Sequence, residues 1–267
     1  METMNSTIPA KFRRLHPLRL VEHHLNALSF FTLVATGLAQ RFHDNGLSTW
    51  LIRSLGGIDQ TRWVHRIAGA LLALVMVQHV LVALFGMFTK RWAPSMVINR
   101  KDFHDAIHNI RFYLGTLREP ARCDRYDYKQ KFEYWGVLLG GVLMTATGLM
   151  LWFPTVIFEW LPFLPGQILP AAKVAHGNEA MMAFLIIVTW HIYNAVFSPE
   201  VFPLDTTILT GKISARRLAH EHPLEFERLV AALPPPAAEV TPDVESAAAP
   251  AASSSAEAPP PALLPVR

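Results

Sequence analysis

Four long apolar segments constrain the fold of this chain more than any other feature of its sequence. They run over about residues 18–41, 63–88, 132–153 and 174–197. Each is long enough to cross the hydrocarbon core of a bilayer, which requires about 20 helical residues. Because backbone polar groups in that core must bond within their own segment, we predict an all-α fold, a transmembrane bundle of four helices.

The basic residues at the ends of these segments and between them predict the orientation of the bundle. Four Lys or Arg residues lie in the first 19 residues, and ten lie in the connection at 89–131. The connections at 42–62 and 154–173 contain two and one. Because basic residues mark the cytoplasmic side of a membrane protein, we expect both termini and the 89–131 connection to be cytoplasmic. This asymmetry explains the basic character of the chain, and we expect no nucleic acid as a partner.

Composition divides the chain into two domains. Residues 1–223 contain the apolar segments, and we predict that they form the transmembrane domain. Residues 224–267 are expected to be a cytoplasmic tail, which from about residue 234 is a low-complexity sequence of Pro, Ala and Ser. Such a composition buries too little apolar surface to fold, so we predict that this tail is disordered. No internal repeat stands out along the chain.

Histidines inside the apolar segments are the strongest indication of function. Polar side chains are costly in hydrocarbon and usually bind a partner or a ligand there. The single cysteine, Cys123, excludes a cysteine-ligated iron–sulfur cluster and covalent haem attachment through a CxxCH motif. A bound cofactor would therefore be held by the histidines of the first, second and fourth segments, which are His23, His24, His65, His79, His176 and His191.

The spacing of these histidines indicates two sites at different depths. His65 and His79 are 14 residues apart, and His176 and His191 are 15 apart, which is about four turns at 3.6 residues per turn. The second and fourth segments cross in the same direction, so each carries one imidazole near each membrane surface. Two facing pairs of imidazoles suit the two axial positions of haem iron. The alternative is that the imidazoles only form hydrogen bonds between helices.

The inner pair has more histidines than it needs. His23 enters the first segment at about the depth of His79, so either can pair with His191, and depth does not choose between them. A small residue stands one turn after His23, whereas a leucine stands one turn after His24. Because a flat macrocycle needs space beside its ligand, this difference favours His23 over His24.

Several stretches of the sequence resemble one family. In order they are "EHHLNALSFFTLVATGL", "VHRIAG", "YDYKQKFEYW", "TGLMLW", "AHGNEAMMA", "WHIYNAVF" and "GKISARRLAHEHP", and they cover about residues 19–223. In these stretches the chain is similar to the membrane cytochrome b (gamma) subunits of respiratory formate dehydrogenases. More broadly, it resembles the bacterial cytochrome b561 and Ni,Fe-hydrogenase cytochrome b group. Together the stretches are fairly specific for the family and less specific for the partner enzyme.

The resemblance implies a function in respiratory electron transfer. It implies two haem b groups in a subunit of the bacterial inner membrane, passing electrons between a periplasmic iron–sulfur or multihaem cytochrome subunit and membrane quinone. A separate catalytic subunit would carry the substrate chemistry, so we do not expect this chain to be catalytic alone. The alternatives are a stand-alone di-haem cytochrome b, a subunit of a quinol-oxidising complex with the haem pairing of cytochrome b6, and a haem-free membrane anchor.

The resemblance also implies the haem ligands by their position in the motifs. The outer haem would be bound by His65 and His176, and the inner haem by His191 and His23. His79 departs from the formate dehydrogenase pattern. Pairing of His79 with His191 would instead match cytochromes b and b6, so His79 is the competing inner ligand.

The quinone pocket of the family lies beside the inner haem, and by position it corresponds to Asp127, Lys129 and His191. The family more often has Asn and Gly where Asp127 and Lys129 stand in this chain. The alternative for these two residues is a place in a solvated loop. His220 and His222, in "AHEHP", are assigned no chemistry.

Overall fold

Long helices dominate the architecture of the chain. The computed structural model describes residues 8–91 and 93–234. In chain order its elements are β1 (Lys11–Arg13), α1 (Pro17–Arg41), α2 (Gly46–Ser54), α3 (Ile58–Phe88), α4 (Arg100–Tyr113), α5 (Tyr128–Trp152), α6 (Pro154–Trp160), α7 (Ile168–Ile186), α8 (Thr207–Thr210), β2 (Lys212–Ser214), α9 (Ala215–Glu221) and α10 (Pro223–Ala231). Two π-helical turns, Ile187–His191 and Tyr193–Phe197, continue α7.

Each predicted apolar segment lies in one long helix. By length and composition, three helical spans are apolar enough to cross a membrane: α3, α5 and the combined helix Ile168–Phe197. Helix α1 has 25 residues, as many as α5, but its first half contains Arg19, Glu22 and two histidines, which lower its mean hydropathy. The other three long helices begin a turn or more before their apolar segments, with a polar first turn in α3 and α5 and the apolar sequence "ILPAA" in α7.

The long helices pack as two antiparallel hairpins. Helix α1 packs along α3, and α5 packs along α7, while α3–α5 and α1–α7 contacts join the two hairpins. Small residues allow the close approach between hairpins: a methyl group at Gly141 of α5 would lie 2.8 Å from Sδ of Met76 on α3. Small residues serve in this way where membrane helices meet.

A compact polar lobe stands at the end of the bundle where α1 and α5 begin. Strands β1 and β2 pair antiparallel, with Phe12 opposite Ile213, and both side chains are buried beside Leu218. The ring of Phe226 from α10 contacts Phe12 with ring centres 6.0 Å apart. This two-stranded ribbon is a small addition to a mostly helical fold, and the sequence did not predict it because three-residue strands about 200 positions apart leave no periodic pattern.

Ion pairs join three distant parts of the chain in this lobe. Glu225 of α10 accepts hydrogen bonds from Arg14 near the N-terminus and from Arg125 before α5. Arg228 donates to both carboxylate oxygens of Asp124, at 2.7 and 2.6 Å, and this guanidinium lowers the pKa of Asp124. These ion pairs include α10 in the lobe, and the compact unit extends to residue 233. The low-complexity tail predicted from about residue 234 lies outside the described residues, apart from residue 234 itself.

Candidate cofactor sites

The predicted outer histidines face each other across the bundle. His65 projects from α3 and His176 from α7, and their ring centres are 6.3 Å apart. Each ring is held from behind by a threonine of the neighbouring helix. Nδ1 of His65 lies 2.8 Å from Oγ1 of Thr36, and Nδ1 of His176 lies 3.0 Å from Oγ1 of Thr147.

The threonine hydroxyls determine which ring nitrogen carries the proton. Thr36 and Thr147 each donate their hydroxyl hydrogen to a backbone carbonyl four residues earlier, at 2.7 Å. Each hydroxyl is then left as an acceptor, and on this basis we assign the ring nitrogen that contacts it as the N–H donor. This arrangement places the proton on Nδ1 of His65 and of His176, and leaves the Nε2 lone pair free to bind a metal.

The distance between the two rings matches a metal ion held between two imidazoles. Each metal–nitrogen bond is about 2 Å long, and the ring centre of an imidazole lies slightly more than 1 Å behind its nitrogen. Two axial imidazoles on one iron atom therefore have ring centres about 6.3 Å apart, by the same bond length. The ring centres of His65 and His176 are at this separation.

The second histidine pair lies about four turns away, toward the polar lobe. The ring centres of His23 on α1 and His191 beyond α7 are 6.2 Å apart, which is again the separation of two axial ligands. Nδ1 of His191 forms a hydrogen bond with the carboxylate of Glu133. Among the described residues, Nδ1 of His23 is buried without a hydrogen-bond partner, which costs free energy unless a bound group or water satisfies it.

His79, the competing inner histidine, lies in a different group of side chains. Its Nδ1 is 2.9 Å from Oε2 of Glu22 and 2.6 Å from Nη1 of Arg19. Its Nε2 is 3.1 Å from the hydroxyl of Tyr134. Both ring nitrogens are therefore engaged by protein groups, and the structure brings His191 together with His23 instead.

The two hairpins carry equivalent groups, a repeat that the sequence analysis missed. Thr36 precedes its histidine by 29 residues, and Thr147 does the same. A methyl group on the glycine after each threonine, Gly37 or Gly148, would lie 3.3 or 3.4 Å from the ring of that histidine. The second hairpin therefore repeats the first at a displacement of 111 residues (147 − 36 = 176 − 65 = 111). The visible signal is "ATGL", which occurs at 35–38 and again at 146–149.

The inner end of the repeat shows one insertion and one substitution. Glu22 and His79 are 57 residues apart, whereas Glu133 and His191 are 58 apart. The π-helical turn at 187–191 accommodates the extra residue, as such turns do when one residue is inserted into a helix. Tyr134 stands at the position equivalent to His23, so the pairs His23–His191 and Tyr134–His79 occupy related places in the two hairpins.

The residues predicted to contact quinone lie at the start of α5. The Asp127 carboxylate accepts a hydrogen bond from the backbone N–H of Gln130, at 2.7 Å, and so caps the helix. Nζ of Lys129 lies 3.9 Å from that carboxylate. Among the described residues, the hydrogen bonds and ion pairs of Asp127 and Lys129 stay within this first turn, and none of them reaches His191.

His222, to which the sequence assigns no chemistry, is a structural residue of the lobe. It is buried, its Nδ1 lies 2.7 Å from the carbonyl oxygen of Asp124, and its Nε2 lies 2.9 Å from Nη2 of Arg14. Burial and the neighbouring charge of Arg14 lower the pKa of His222. The last motif of the sequence thus ties α10 to the other segments of the lobe.

Comparison with known proteins identifies the family to which this chain is similar. Residues 14–206 match the family model described as prokaryotic cytochrome b561. This range contains all four long helices and all of the paired histidines.

Curated relatives cover most of the chain. The cytochrome b556(fdo) subunit of formate dehydrogenase from Escherichia coli K12 is 25% identical over 205 residues, which is 76% of this chain and 86% of the relative. The cytochrome b556(Fdn) subunit of the nitrate-inducible formate dehydrogenase of the same strain is 21% identical, over 79% of this chain and 88% of the relative. A probable Ni/Fe-hydrogenase B-type cytochrome subunit of Bradyrhizobium diazoefficiens is 27% identical, over 75% of this chain and 83% of the relative.

Proposed function

The chain belongs to the prokaryotic cytochrome b561 family, and from this premise we propose that it carries electrons across a membrane through two b-type haems. One end of this path would meet a periplasmic redox partner, and the other would meet membrane quinone. The observation that carries the proposal is two histidine pairs, each joining two different long helices, with ring centres 6.3 and 6.2 Å apart. When bound, haem iron supplies reversible one-electron exchange.

The outer haem would be held by His65 and His176. Thr36 and Thr147 hold the two rings at Nδ1, which leaves Nε2 of each ring as the nitrogen that would bind the iron. A hydrogen bond behind a metal-binding histidine fixes the orientation of the ring and raises its strength as a ligand. The chain therefore supplies a pre-oriented pair of ligands.

The inner haem would be held by His23 and His191. The Glu133 carboxylate behind His191 makes that imidazole a stronger electron donor than the hydroxyl-backed outer ligands. His79 is disfavoured as the inner ligand because Glu22 and Tyr134 occupy its two ring nitrogens. The same contacts argue against the pairing found in cytochrome b6.

We assign four transmembrane helices, with α1 as the fourth beside the three spans found by length and composition. Residues 11–13, the segment 122–125 and the chain after residue 211 all join the polar lobe. The chain before α1 and the chain after the last long helix therefore lie at the same end of the bundle. An even number of membrane crossings requires this. Together with the distribution of Lys and Arg, this supports cytoplasmic termini in a multi-pass inner-membrane protein.

We place the quinone site beside the inner haem, near Asp127, Lys129 and His191. Its support is the position of Asp127 and Lys129 at the lobe end of α5, the end at which His191 and Glu133 also lie. The capping role of Asp127 holds the start of α5 in place. Lys129→Ala should slow quinone reduction and leave the haem spectrum unchanged, and an unchanged rate would argue against this site.

The relatives support the partners that we propose, because their names describe cytochrome subunits of formate dehydrogenase or of a Ni/Fe-hydrogenase. We propose that this chain receives or delivers electrons through a periplasmic iron–sulfur or multihaem cytochrome subunit, with the substrate chemistry on a separate catalytic subunit. The alternative of a stand-alone cytochrome predicts that the chain purifies without such subunits.

The test is a visible spectrum and a haem assay on the purified full-length chain. We expect reduced-minus-oxidised bands of b-type haem and a content of two haems per chain. A preparation without b-type bands would support the haem-free anchor and refute the proposal. Co-purifying subunits, identified from the native membrane, would separate the complex subunit from the stand-alone cytochrome.

A further inference from the structure

Two arginines flank the outer histidine pair. Arg66 directly follows His65 on α3, and Arg41 is the last residue of α1 at the same end of the bundle. Arg66 is half-buried, with its guanidinium carbon 5.5 Å from the ring centre of Trp152. Arg41 reaches α7, where Nη2 lies 3.5 Å from Oδ1 of Asn178. Within the described part of the chain, neither arginine lies within 4.0 Å of an Asp or Glu carboxylate.

For the partly buried Arg66 this placement is costly without an anionic partner. A charged side chain inside a membrane-spanning helix is normally paired, because burying the charge in an apolar region is unfavourable. Arginines are also depleted on the outer side of a membrane protein, which is the side proposed for His65 and His176. Arg66 therefore points to an anion that the protein chain does not supply, and Arg41, exposed at the C-terminal end of α1, is a second guanidinium group available to the same ligand.

The internal repeat gives the two arginines equivalent positions around the histidine pair. At the displacement of 111 residues, Arg41 corresponds to Trp152 and Arg66 corresponds to Gly177. Arg41 packs over Gly177, and Arg66 packs over Trp152. The repeat therefore relates the Arg41–Gly177 contact to the Trp152–Arg66 contact. Each contact contains one guanidinium group, from α1 in the first and from α3 in the second.

We propose that Arg41 and Arg66 bind the two propionates of the haem held by His65 and His176, an inference that rests on the proposed function. The two propionates of haem b extend from one edge of the macrocycle, and each carries a carboxylate. A haem bound by two symmetry-related imidazoles places its propionates on the two sides of the symmetry axis when that edge faces the nearer membrane surface. Each carboxylate then meets one arginine, and a guanidinium binds a carboxylate through two parallel hydrogen bonds.

Lipid phosphates share this chemistry, since they are oxyanions at the same depth. Long basic side chains at a membrane surface commonly extend outward to reach them. Arg66 instead turns toward α5, where it packs on Trp152 beside the histidine pair. Its direction and partial burial favour a carboxylate inside the bundle.

The experiment is a redox titration of both haems in the purified full-length chain, comparing Arg41→Gln and Arg66→Gln with wild type. Arg53→Gln is the matched control, because Arg53 is an exposed arginine of α2 in the connection at the same end of the bundle. The His65→Ala variant identifies which absorption band belongs to the outer haem. An uncompensated propionate stabilises ferric iron, so each variant should lower the reduced-to-oxidised ratio of the outer haem at fixed potential by about tenfold, which is about 59 mV for one electron. The inner haem should be unaffected.

Several results would overturn the inference. Unchanged outer potentials in Arg41→Gln and Arg66→Gln, as in Arg53→Gln, would leave the arginines with no propionate role. Shifts that vanish when phospholipid is exchanged for neutral detergent would assign them to lipid phosphates. If Arg66→Gln loses the outer haem, Arg66→Lys should restore it, and failure to do so would indicate a structural role. Wild-type protein without haem would instead refute the proposed function.

Discussion

Replacing Thr36 by Val should weaken the outer haem site without disturbing the fold. Valine has nearly the same shape, but it cannot accept the Nδ1–H of His65, which now lies 2.8 Å from the hydroxyl oxygen. Leaving a buried donor unsatisfied costs about 1–3 kcal/mol. Since about 1.4 kcal/mol is a factor of ten, the affinity for the outer haem should fall roughly 5- to 150-fold.

The matched control lies one turn away on the same helix. The hydroxyl of Thr32 is exposed and donates only to the carbonyl of Leu28, so Thr32→Val should bind haem as tightly as wild type. The internal repeat adds a second test, because Thr147 supports His176 in the same way. Thr147→Val should therefore weaken the same haem by a similar factor.

The assay is the rate and extent of haem transfer from the purified protein to excess apomyoglobin, followed in the visible spectrum. Thr36→Val and Thr147→Val should lose one haem faster than wild type and keep the other. If both variants release haem at the same rate as Thr32→Val, the threonines do not support the ligands and the reasoning fails.

Three further predictions follow from the inner site and the lobe. His23→Ala should reduce the haem content from two to one per chain, while His79→Ala should leave two; a pyridine haemochrome assay distinguishes the ligands, and the opposite pattern would favour the cytochrome b6-like pairing. Glu133→Gln weakens the electron donation of its histidine, so it should raise the midpoint potential of the inner haem by about 60 mV, a tenfold change in the redox ratio; a titration with no shift would contradict this. Burial and the charge of Arg14 lower the pKa of His222 in the folded lobe. Below about pH 6.5, His222 is therefore protonated in the unfolded lobe but stays neutral in the folded lobe, which favours unfolding. The lobe should therefore lose stability as the pH falls from 7.5 to 5.5, measured by hydrogen exchange of α10 amides, and His222→Gln should remove most of this dependence.

The internal repeat relates the two outer histidines to each other, but it does not relate the two inner ones. The outer histidines are related by the repeat, so the proposed outer haem lies between equivalent residues. The inner pair joins His23 of one hairpin to His191 of the other, and the related place holds Tyr134 against His79. Because Nε2 of His79 is hydrogen-bonded to Tyr134, His23 and His191 are the pair of imidazoles available to iron at the inner end.

The apolar segments could be predicted from the sequence because length and hydropathy are local properties. The depths of the histidines in the membrane could be predicted for the same reason. A spacing of 14 or 15 residues along one helix determines how far apart two imidazoles lie along its axis. The sequence leaves the choice between His23 and His79 open, because it depends on which neighbours engage each ring. Glu22 and Tyr134 lie on two different helices, and their contact with His79 leaves no local pattern.

The supporting residues and the lobe were also beyond sequence reasoning. Thr36 and Thr147 look like ordinary helix threonines until the neighbouring helix brings an imidazole to each. The repeat was obscured because few residues besides "ATGL" are identical and because the π-helical turn shifts His191 by one position. The lobe depends on pairing between Phe12 and Ile213, a contact between distant segments that hydrophobic periodicity does not report.

The haem content of the purified full-length chain and of its ligand variants tests the central claim most directly. Two histidine pairs at axial-ligand separation predict two b-type haems per chain. They also predict one haem in His65→Ala, one in His23→Ala, and none when both substitutions are combined. A wild-type chain without haem, or single variants that still hold two, would contradict this account of the bundle.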